Sequence, residues 1–169
     1  MDLKKCVFLD RDGVLNKDYV DYVYTVEKLI ILPGVPEALQ KLKEAGYLII
    51  VITNQSGIAK GIYTEEDMHT VHKAMQESWG GLIDDFYFAP GHPSVSESLS
   101  RKPGSLMFER AIAKYKVDVA HSWMIGDKDR DLVPAKKLNL KTIQVDHADS
   151  DHADHKVKDL TEAVKIIVG

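Results

Sequence analysis

Short apolar runs alternate along this chain with stretches in which apolar residues recur at helical spacing. Residues 6–9 and 47–52 form continuous apolar runs, which is typical of short strands buried on both faces of a sheet. Three further strands are predicted over residues 85–89, 121–125 and 141–145. The hydrophobic pattern therefore predicts five strands.

Start and stop signals frame the helices predicted between these strands. Pro33-Gly-Val-Pro-Glu37 opens the first helix and Gly46 ends it. A capping box is predicted at Thr64, ahead of four residues expected in the core: Met68, Val71, Met75 and Trp79. Further helices are expected at residues 104–115, about 131–138 and 160–168. The alternation of strand and helix predicts an α/β protein, with helices on both faces of a mostly parallel sheet.

Three segments fall outside these elements. Residues 17–24 alternate polar with aromatic or β-branched residues, which predicts a small hairpin or an ordered flap over the end of the first strand. Residues 90–100 form a loop rich in Ser, Pro and Gly. The acidic run 146–155 carries His147, His152 and His155, and a solvated loop is favoured there over a metal site.

Composition and charge fit one globular domain that spans residues 1–169. The chain is 44% hydrophobic and 28% charged, with a formal net charge of −4. This acidic balance argues against nucleic acid or an anionic membrane as the main partner. Cys6 is the single cysteine and can form no internal disulfide, and no signal peptide or membrane-length apolar run is present. A cytoplasmic protein is expected.

Polar clusters follow three of the predicted strands. Asp10 and Asp12 follow the first strand, Thr53 ends the second, and Asp127 follows the fourth, while Arg101-Lys102 precedes a helix. Since the carboxyl ends of parallel strands share one edge of a sheet, these groups should meet there. Carboxylates at such an edge favour a hard divalent cation such as Mg²⁺, and cations with free N–H groups favour an oxyanion such as phosphate. Together they predict metal-assisted phosphoryl transfer, although Asp10 and Asp12 alone would also fit a plain Asp-Gly turn.

Four stretches resemble, in order and spacing, the signature motifs of the haloacid dehalogenase (HAD) superfamily: Asp10-x-Asp12-Gly-Val, Thr53, Lys102 and Gly126-Asp127-x-x-x-Asp131. The longer strings are similar to the heptose bisphosphate and histidinol phosphatase branch: Asp10-Arg-Asp-Gly-Val-Leu-Asn16, Thr53-Asn-Gln-Ser-Gly-Ile58, Arg101-Lys-Pro103 and Gly126-Asp-Lys128. The resemblance implies a Rossmann-like three-layer α/β/α sandwich whose five-stranded sheet has the order 3-2-1-4-5. The intervals between motifs are too short for a cap domain.

The resemblance also implies a role for each site residue. Asp10 would attack phosphorus to give an aspartyl-phosphate, and Asp12 would act as general acid and then general base. Acid catalysis requires a protonated Asp12, which the crowded anionic pocket is expected to favour by raising its pKa. Mg²⁺ would be held by Asp10, the main-chain carbonyl of Asp12, and Asp127.

Phosphate and substrate binding are implied for a second set of residues. Phosphoryl oxygens would contact the segment after the second strand and a lysine that also neutralises Asp10: Thr53, Asn54, Gln55, Ser56 and Lys102. Arg101 and Lys128 match positions that the branch uses for substrate recognition. Asp131 is expected to support its loop rather than bind the metal.

The branch typically has a zinc site in the loop before Arg101, but this chain lacks its ligands. The four cysteine and histidine positions are occupied by Ala89, Gly91, Ser98 and Ser100. His92 and Glu97 alone would make a poor tetrahedral site, so no zinc is expected.

The resemblance implies a phosphatase of a small phosphorylated sugar, with the 7-phosphate of a heptose 1,7-bisphosphate as the first choice. Histidinol phosphate is the alternative within the branch. Polynucleotide 3′-phosphatases share the Thr-Asn-Gln motif, but no basic or aromatic-rich stripe is present for a strand to lie on. A non-catalytic relative would normally have lost the nucleophile or a metal ligand, and both are present. A monomer or weak homo-oligomer is expected.

Overall fold

One six-stranded, fully parallel sheet forms the centre of the computed structural model, which describes residues 2–94, 98–146 and 149–169. Its strands are β1 (Cys6–Leu9), β2 (Leu48–Asn54), β3 (Asp85–Ala89), β4 (Trp123–Gly126), β5 (Lys141–Gln144) and β6 (His155–Lys156). The order is β3-β2-β1-β4-β5-β6. The predicted order of the first five strands is confirmed.

Helices cover both faces of the sheet: α1 (Val35–Glu44), α2 (Glu65–Ser78), α3 (Leu106–Tyr115), α4 (Asp129–Lys137) and α5 (Leu160–Val168). Alternate residues of β1 face opposite sides because side chains alternate along a strand. Val7 and Leu9 join the apolar cluster under α1, α2 and α5, whereas Cys6 and Phe8 join the one under α3 and α4. This is the predicted three-layer sandwich.

The helix signals in the sequence are borne out. Thr64 Oγ1 accepts a hydrogen bond from Asp67 N at 3.1 Å, and Asp67 Oδ2 accepts one from Thr64 N at 2.9 Å, which closes the predicted capping box. Gly46 follows α1 with a φ of +86°, a conformation that glycine adopts without strain.

The sheet has six strands rather than the five predicted. The short strand β6 begins at His155, the last residue of the run that was expected to be a solvated loop, and it pairs with Ile143 and Gln144 of β5. Asp154 anchors it, since its Oδ2 accepts from Thr142 N at 2.9 Å. Both residues of β6 are exposed and polar, so the hydrophobic pattern carried no signal for this strand. His147 lies outside the described residues.

The connections bring loops, and no separate domain, to the carboxyl edge of the sheet. Residues 17–24 adopt turns and irregular structure, an ordered flap rather than a hairpin. Between β2 and Lys102 the described chain contains α2, β3 and their loops, so no cap domain lies among the described residues. None of the helices in the described part of the chain is long and apolar enough to cross a membrane.

Candidate active site

The polar segments predicted to meet at the carboxyl edge of the sheet do meet there. Asp10 follows β1, and its main-chain N–H donates to Ile125 O of β4 at 3.0 Å. Thr53 is the penultimate residue of β2, Asp127 follows β4, and Lys102 reaches the same place from the loop before α3. The parallel sheet therefore sets the relative positions of these side chains.

A buried lysine lies at the centre of the cluster. The Lys102 side chain is 1% exposed, and its Nζ donates to Asp10 Oδ1 at 3.0 Å, Asp131 Oδ1 at 2.5 Å and Ile52 O at 2.7 Å. Burial disfavours its ammonium form, but Asp10 and Asp131 outweigh burial and raise the pKa of Lys102. All three ammonium hydrogens have acceptors, so a direct contact with phosphate would have to replace one of these bonds.

Three carboxylates lie close enough to share a cation. Asp10, Asp127 and Asp131 place carboxylate oxygens within 4.8 Å of one another. Asp127 Oδ1 is buried and has no hydrogen-bond partner among the residues that the structure describes. A Cβ at Gly13 would lie 2.3 Å from Asp127 Oδ2, so the glycine leaves room for this carboxylate. Hard oxygen donors, one of them buried and unpartnered, fit a Mg²⁺ ion.

Crowding among these acids raises their pKa values. Burial raises the pKa of Asp10 well above its usual range, and Asp131 raises it further against the opposing charge of Lys102. Burial and Asp131 also raise the pKa of Asp127. A bound cation would favour the ionised forms of both carboxyl groups.

Asp131 is already engaged on both oxygens. Its Oδ1 accepts from Lys102 Nζ at 2.5 Å, and its Oδ2 accepts from Lys128 N at 3.2 Å at the start of α4. The carboxylate is fully buried. The contact with Lys128 N agrees with the expected support of the loop by Asp131, and the expectation that Asp131 does not bind the metal stays a prediction.

Asp12 lies beside the cluster with one oxygen tied down. Its Oδ1 accepts from Arg11 Nη2 at 2.8 Å, Arg11 Nε at 3.2 Å and Asn16 Nδ2 at 3.0 Å. Its Oδ2 accepts only a longer bond, 3.3 Å, from Gln55 Nε2 among the described residues. Oδ2 is thus the less engaged oxygen of Asp12.

The expectation of a raised Asp12 pKa is wrong for the free protein. Burial raises the pKa of this carboxyl, but the Arg11 guanidinium and the hydrogen bonds from Arg11, Asn16 and Gln55 outweigh burial and lower it. Arg11 is in direct contact with the carboxylate, at 2.8 Å, and so favours its ionised form. Asp12 is therefore ionised in the free protein.

The segment after β2 is organised by its own side chains. Gln55 Nε2 donates to Thr53 Oγ1 at 2.9 Å, and Gln55 Oε1 accepts from Tyr63 OH at 2.6 Å. Ser56 Oγ lies 3.4 Å from Tyr22 OH of the flap. Thr53, Gln55 and Ser56 all lie at the edge where phosphate binding was predicted.

The polar groups of the Asn54 side chain are already bonded to the main chain of Lys102, which argues against an oxyanion-binding role for this side chain. Its Nδ2 donates to Lys102 O at 3.1 Å, and its Oδ1 accepts from Lys102 N at 2.9 Å. The amide thus fixes the backbone of the residue that neutralises Asp10.

Arg101 and Lys128 lie at the rim. Arg101 Nη1 donates to Gly91 O at 3.3 Å, and burial and Arg130 lower its pKa. Lys128 Nζ contacts Asp127 Oδ2 and Asp18 Oδ2, both at 3.2 Å, and so links the cluster to the flap.

Comparisons with known proteins agree on the kind of protein. Residues 99–165 match a family model described as HAD-hydrolase-like. The chain is 38% identical over 148 residues to D-glycero-beta-D-manno-heptose-1,7-bisphosphate 7-phosphatase of Haemophilus ducreyi, covering 82% of this chain and 81% of that protein. It is 39% identical over 147 residues to the D-glycero-alpha-D-manno-heptose-1,7-bisphosphate 7-phosphatase of Burkholderia mallei, covering 82% and 77%. The chain belongs to the HAD-like phosphatases.

A solved structure of this phosphatase family has the same fold. D,D-heptose 1,7-bisphosphate phosphatase from B. bronchiseptica, complexed with magnesium and phosphate, aligns with a TM-score of 0.88 at 26% identity. The alignment covers 96% of this chain and 97% of that one. The fold is therefore shared along nearly the whole length of both proteins.

The loop before Arg101 in this phosphatase is held by hydroxyl contacts in its described part. Ser98 Oγ and Ser100 Oγ lie 2.7 Å apart, and His92 Nδ1 lies 2.7 Å from Ser94 Oγ. Glu97 lies outside the described residues. The absence of zinc stays a prediction.

Two contacts in the site were not foreseen from the sequence. Arg11 binds the Asp12 carboxylate, and His72 of α2 contacts Arg11 Nη1. Periodicity alone offers one hint: His72 is a polar residue on the buried face of α2, between Val71 and Met75.

Proposed function

We propose that this phosphatase is a Mg²⁺-dependent phosphomonoester hydrolase that removes the 7-phosphate of D-glycero-D-manno-heptose 1,7-bisphosphate through an aspartyl-phosphate at Asp10. The observation that carries the proposal is the Asp10 carboxylate, which is held by Lys102 beside Asp127. The buried Oδ1 of Asp127 has no partner in the described part of the chain. Two relatives named for this activity, at 38% and 39% identity, support the choice of substrate.

Asp10 is the nucleophile in this proposal. Lys102 holds Oδ1, and we assign attack on phosphorus to the other oxygen, Oδ2. The new P–O bond forms as the bond from phosphorus to the sugar oxygen breaks. Lys102 offsets the anionic charge of Asp10 as it approaches an anionic phosphoryl group.

Asp12 moves the proton. Its Oδ2 donates a proton to the departing sugar oxygen and then accepts one from the water that hydrolyses the aspartyl-phosphate. Since Asp12 is ionised in the free protein, it must take up a proton from solvent when substrate binds. The nearby phosphate charge favours this because it opposes the lowering effect of Arg11.

Asp10, the main-chain carbonyl of Asp12 and Asp127 would hold Mg²⁺, which when bound supplies a positive charge for the phosphoryl oxygens. Thr53 and Ser56, with the main-chain N–H groups around them, would bind those oxygens. Arg101 and Lys128 at the rim would recognise the rest of the substrate, including its second phosphate.

Histidinol phosphate remains the second candidate, since it differs from the bisphosphate in having one phosphate and one amine. The relatives are named for the bisphosphate, which favours it over histidinol phosphate. A small phosphorylated sugar, rather than nucleic acid, is the substrate class, and we expect a cytoplasmic monomer or weak homo-oligomer.

A substrate panel with Mg²⁺ tests the proposal. We expect phosphate release from heptose 1,7-bisphosphate to exceed that from histidinol phosphate and a 3′-phosphorylated oligonucleotide, and to be lost with EDTA. Both anomers of the bisphosphate belong in the panel because the relatives are named for either one. Absence of turnover with every phosphomonoester would refute the enzymatic proposal.

A further inference from the structure

A buried histidine, His72, contacts Arg11 behind the site and has no part in the chemistry described so far. Arg11 is 1% exposed and His72 is 5% exposed. Arg11 Nη1 lies 3.2 Å from His72 Nε2. Because a guanidinium keeps its protons and can only donate, His72 Nε2 accepts and the neutral ring carries its proton on Nδ1.

The histidine ring itself is fixed by packing. It stacks on Phe86 of β3, with ring centroids 4.3 Å apart and an interplanar angle of 15°. Burial, and secondarily the charge of Arg11, lowers its pKa to about 3. His72 is therefore a neutral acceptor held at a fixed place at the back of the guanidinium.

The other edges of the guanidinium also have partners. Nη2 donates to Asp12 Oδ1 at 2.8 Å and to Val23 O of the flap at 3.0 Å, and Nε donates to Asp12 Oδ1 at 3.2 Å. Arg11 thus joins three separate parts of the chain: the turn after β1, the flap and α2.

The hydrogen bonds to Asp12 fall mainly on one oxygen. Arg11 and Asn16 donate to Oδ1, whereas among the described residues Oδ2 accepts one longer bond, from Gln55. Any rotation of the guanidinium would turn the carboxylate and move Oδ2 with it. Proton transfer is sensitive to such a shift because the proton must travel between atoms at hydrogen-bond distance.

We propose that His72 is a positioning residue for the proton-transfer step: it fixes the Arg11 guanidinium, which in turn fixes the Asp12 carboxylate with Oδ2 free to transfer the proton. This inference rests on the proposed function. In the step concerned, an Asp10 oxygen forms a bond to phosphorus as the bond from phosphorus to the departing sugar oxygen breaks; the Asp12 O–H bond breaks and a new O–H bond forms on the departing oxygen.

The dependence of kcat/KM on the leaving group distinguishes a loss of Asp12 positioning from a general loss of structure. An alkyl phosphomonoester needs a proton on its departing oxygen, whereas p-nitrophenolate leaves without one. The value of kcat/KM reports steps only up to departure of this group, so it isolates the acid function of Asp12. His72→Phe keeps a ring to stack on Phe86 but removes the acceptor for Arg11. His72→Gln restores an acceptor, the side-chain amide oxygen. Met75→Leu is a matched control at a buried position on the same helix.

For His72→Phe we expect kcat/KM to fall about 10- to 100-fold with heptose 1,7-bisphosphate and less than about 3-fold with p-nitrophenyl phosphate. His72→Gln should recover most of the loss, and Met75→Leu should match the parent on both substrates. Equal losses on the two substrates, or no rescue by His72→Gln, would overturn the proposal. A parent protein inactive on both would instead refute the proposed function.

A measurement on the unmodified protein removes any dependence on how the variants fold. Nitrogen-15 NMR of the histidine rings should show His72 neutral, protonated on Nδ1 and bare on Nε2 at pH 7. A proton on Nε2 would contradict the Arg11–His72 hydrogen bond and with it the proposal.

Discussion

Replacing Lys102 by methionine tests the electrostatic core of the site. The substitution keeps a long buried side chain but removes the charge between Asp10 and Asp131, whose oxygens lie 3.0 and 2.5 Å from Nζ. At an effective dielectric constant of about 20, each such contact is worth roughly 5 kcal/mol before the cost of desolvation. Breaking a buried pair by removing one partner costs about 3–5 kcal/mol net, because the remaining charge is left uncompensated.

We therefore expect Lys102→Met to lower the free energy of unfolding by about 3–5 kcal/mol at pH 7 in Mg²⁺-free buffer, and to lower kcat by at least about 100-fold. Urea denaturation followed by circular dichroism measures the first quantity. Mg²⁺ should return part of the stability, since a cation bound only by the folded state stabilises it. The loss should also shrink as the pH falls, because protonation of Asp10, whose folded-state pKa is raised, removes one of the two uncompensated charges.

The matched control is Lys114→Met. Lys114 also forms an ion pair with an aspartate, Asp85, at 3.3 Å, but its side chain is 63% exposed. Its loss should leave the unfolding midpoint indistinguishable from that of the parent. If Lys102→Met were no more destabilising than Lys114→Met, the account of Lys102 as a required buried counter-charge would be refuted.

Three further predictions address separate features. Gly13→Ala should weaken Mg²⁺ binding in isothermal titration calorimetry, because φ is +89° and the new Cβ would meet Asp127 Oδ2 at 2.3 Å; unchanged affinity would contradict the inference that Gly13 leaves room for a metal-binding Asp127 carboxylate. The lowered pKa of His72, about 3, means that the unfolded chain binds its proton first, so stability should fall by up to about 1.4 kcal/mol per pH unit as the pH drops below about 6.5; His72→Gln should remove this contribution, and identical pH slopes would argue against it. Thr64→Ala should cost about 1 kcal/mol in chemical denaturation through loss of the α2 cap, and no change would mean that the capping box is not formed in solution.

The parts of the fold with a local sequence signal were predicted well. The strand β3 was placed over its observed residues, and α2 was found from Thr64 and its buried apolar positions. By contrast, β6 consists of two exposed polar residues held by pairing with β5, and only the assembled sheet provides that partner. Such tertiary pairing leaves no periodic trace in the sequence.

The candidate site divides in the same way. Asp10, Thr53 and Asp127 could be identified because residues at the ends of parallel strands share one edge, whereas Lys102, in the loop before α3, was identified from the motif resemblance. The contact between Arg11 and His72 could not be predicted, since 61 residues separate them. The orientation of Arg11 toward Asp12 was not foreseen either, so the sequence predicts a raised Asp12 pKa from general crowding, whereas the Arg11 charge lowers that pKa.

The claim that Asp10 carries the phosphoryl group is tested most directly by trapping the intermediate. Protein turning over heptose 1,7-bisphosphate with Mg²⁺ is quenched in acid and reduced with borohydride, which converts an aspartyl-phosphate to homoserine that peptide mass spectrometry can locate. We expect homoserine at position 10, and none in Asp10→Asn, which should be folded and inactive. Turnover without reduction at position 10, or reduction at Asp12 instead, would contradict the account.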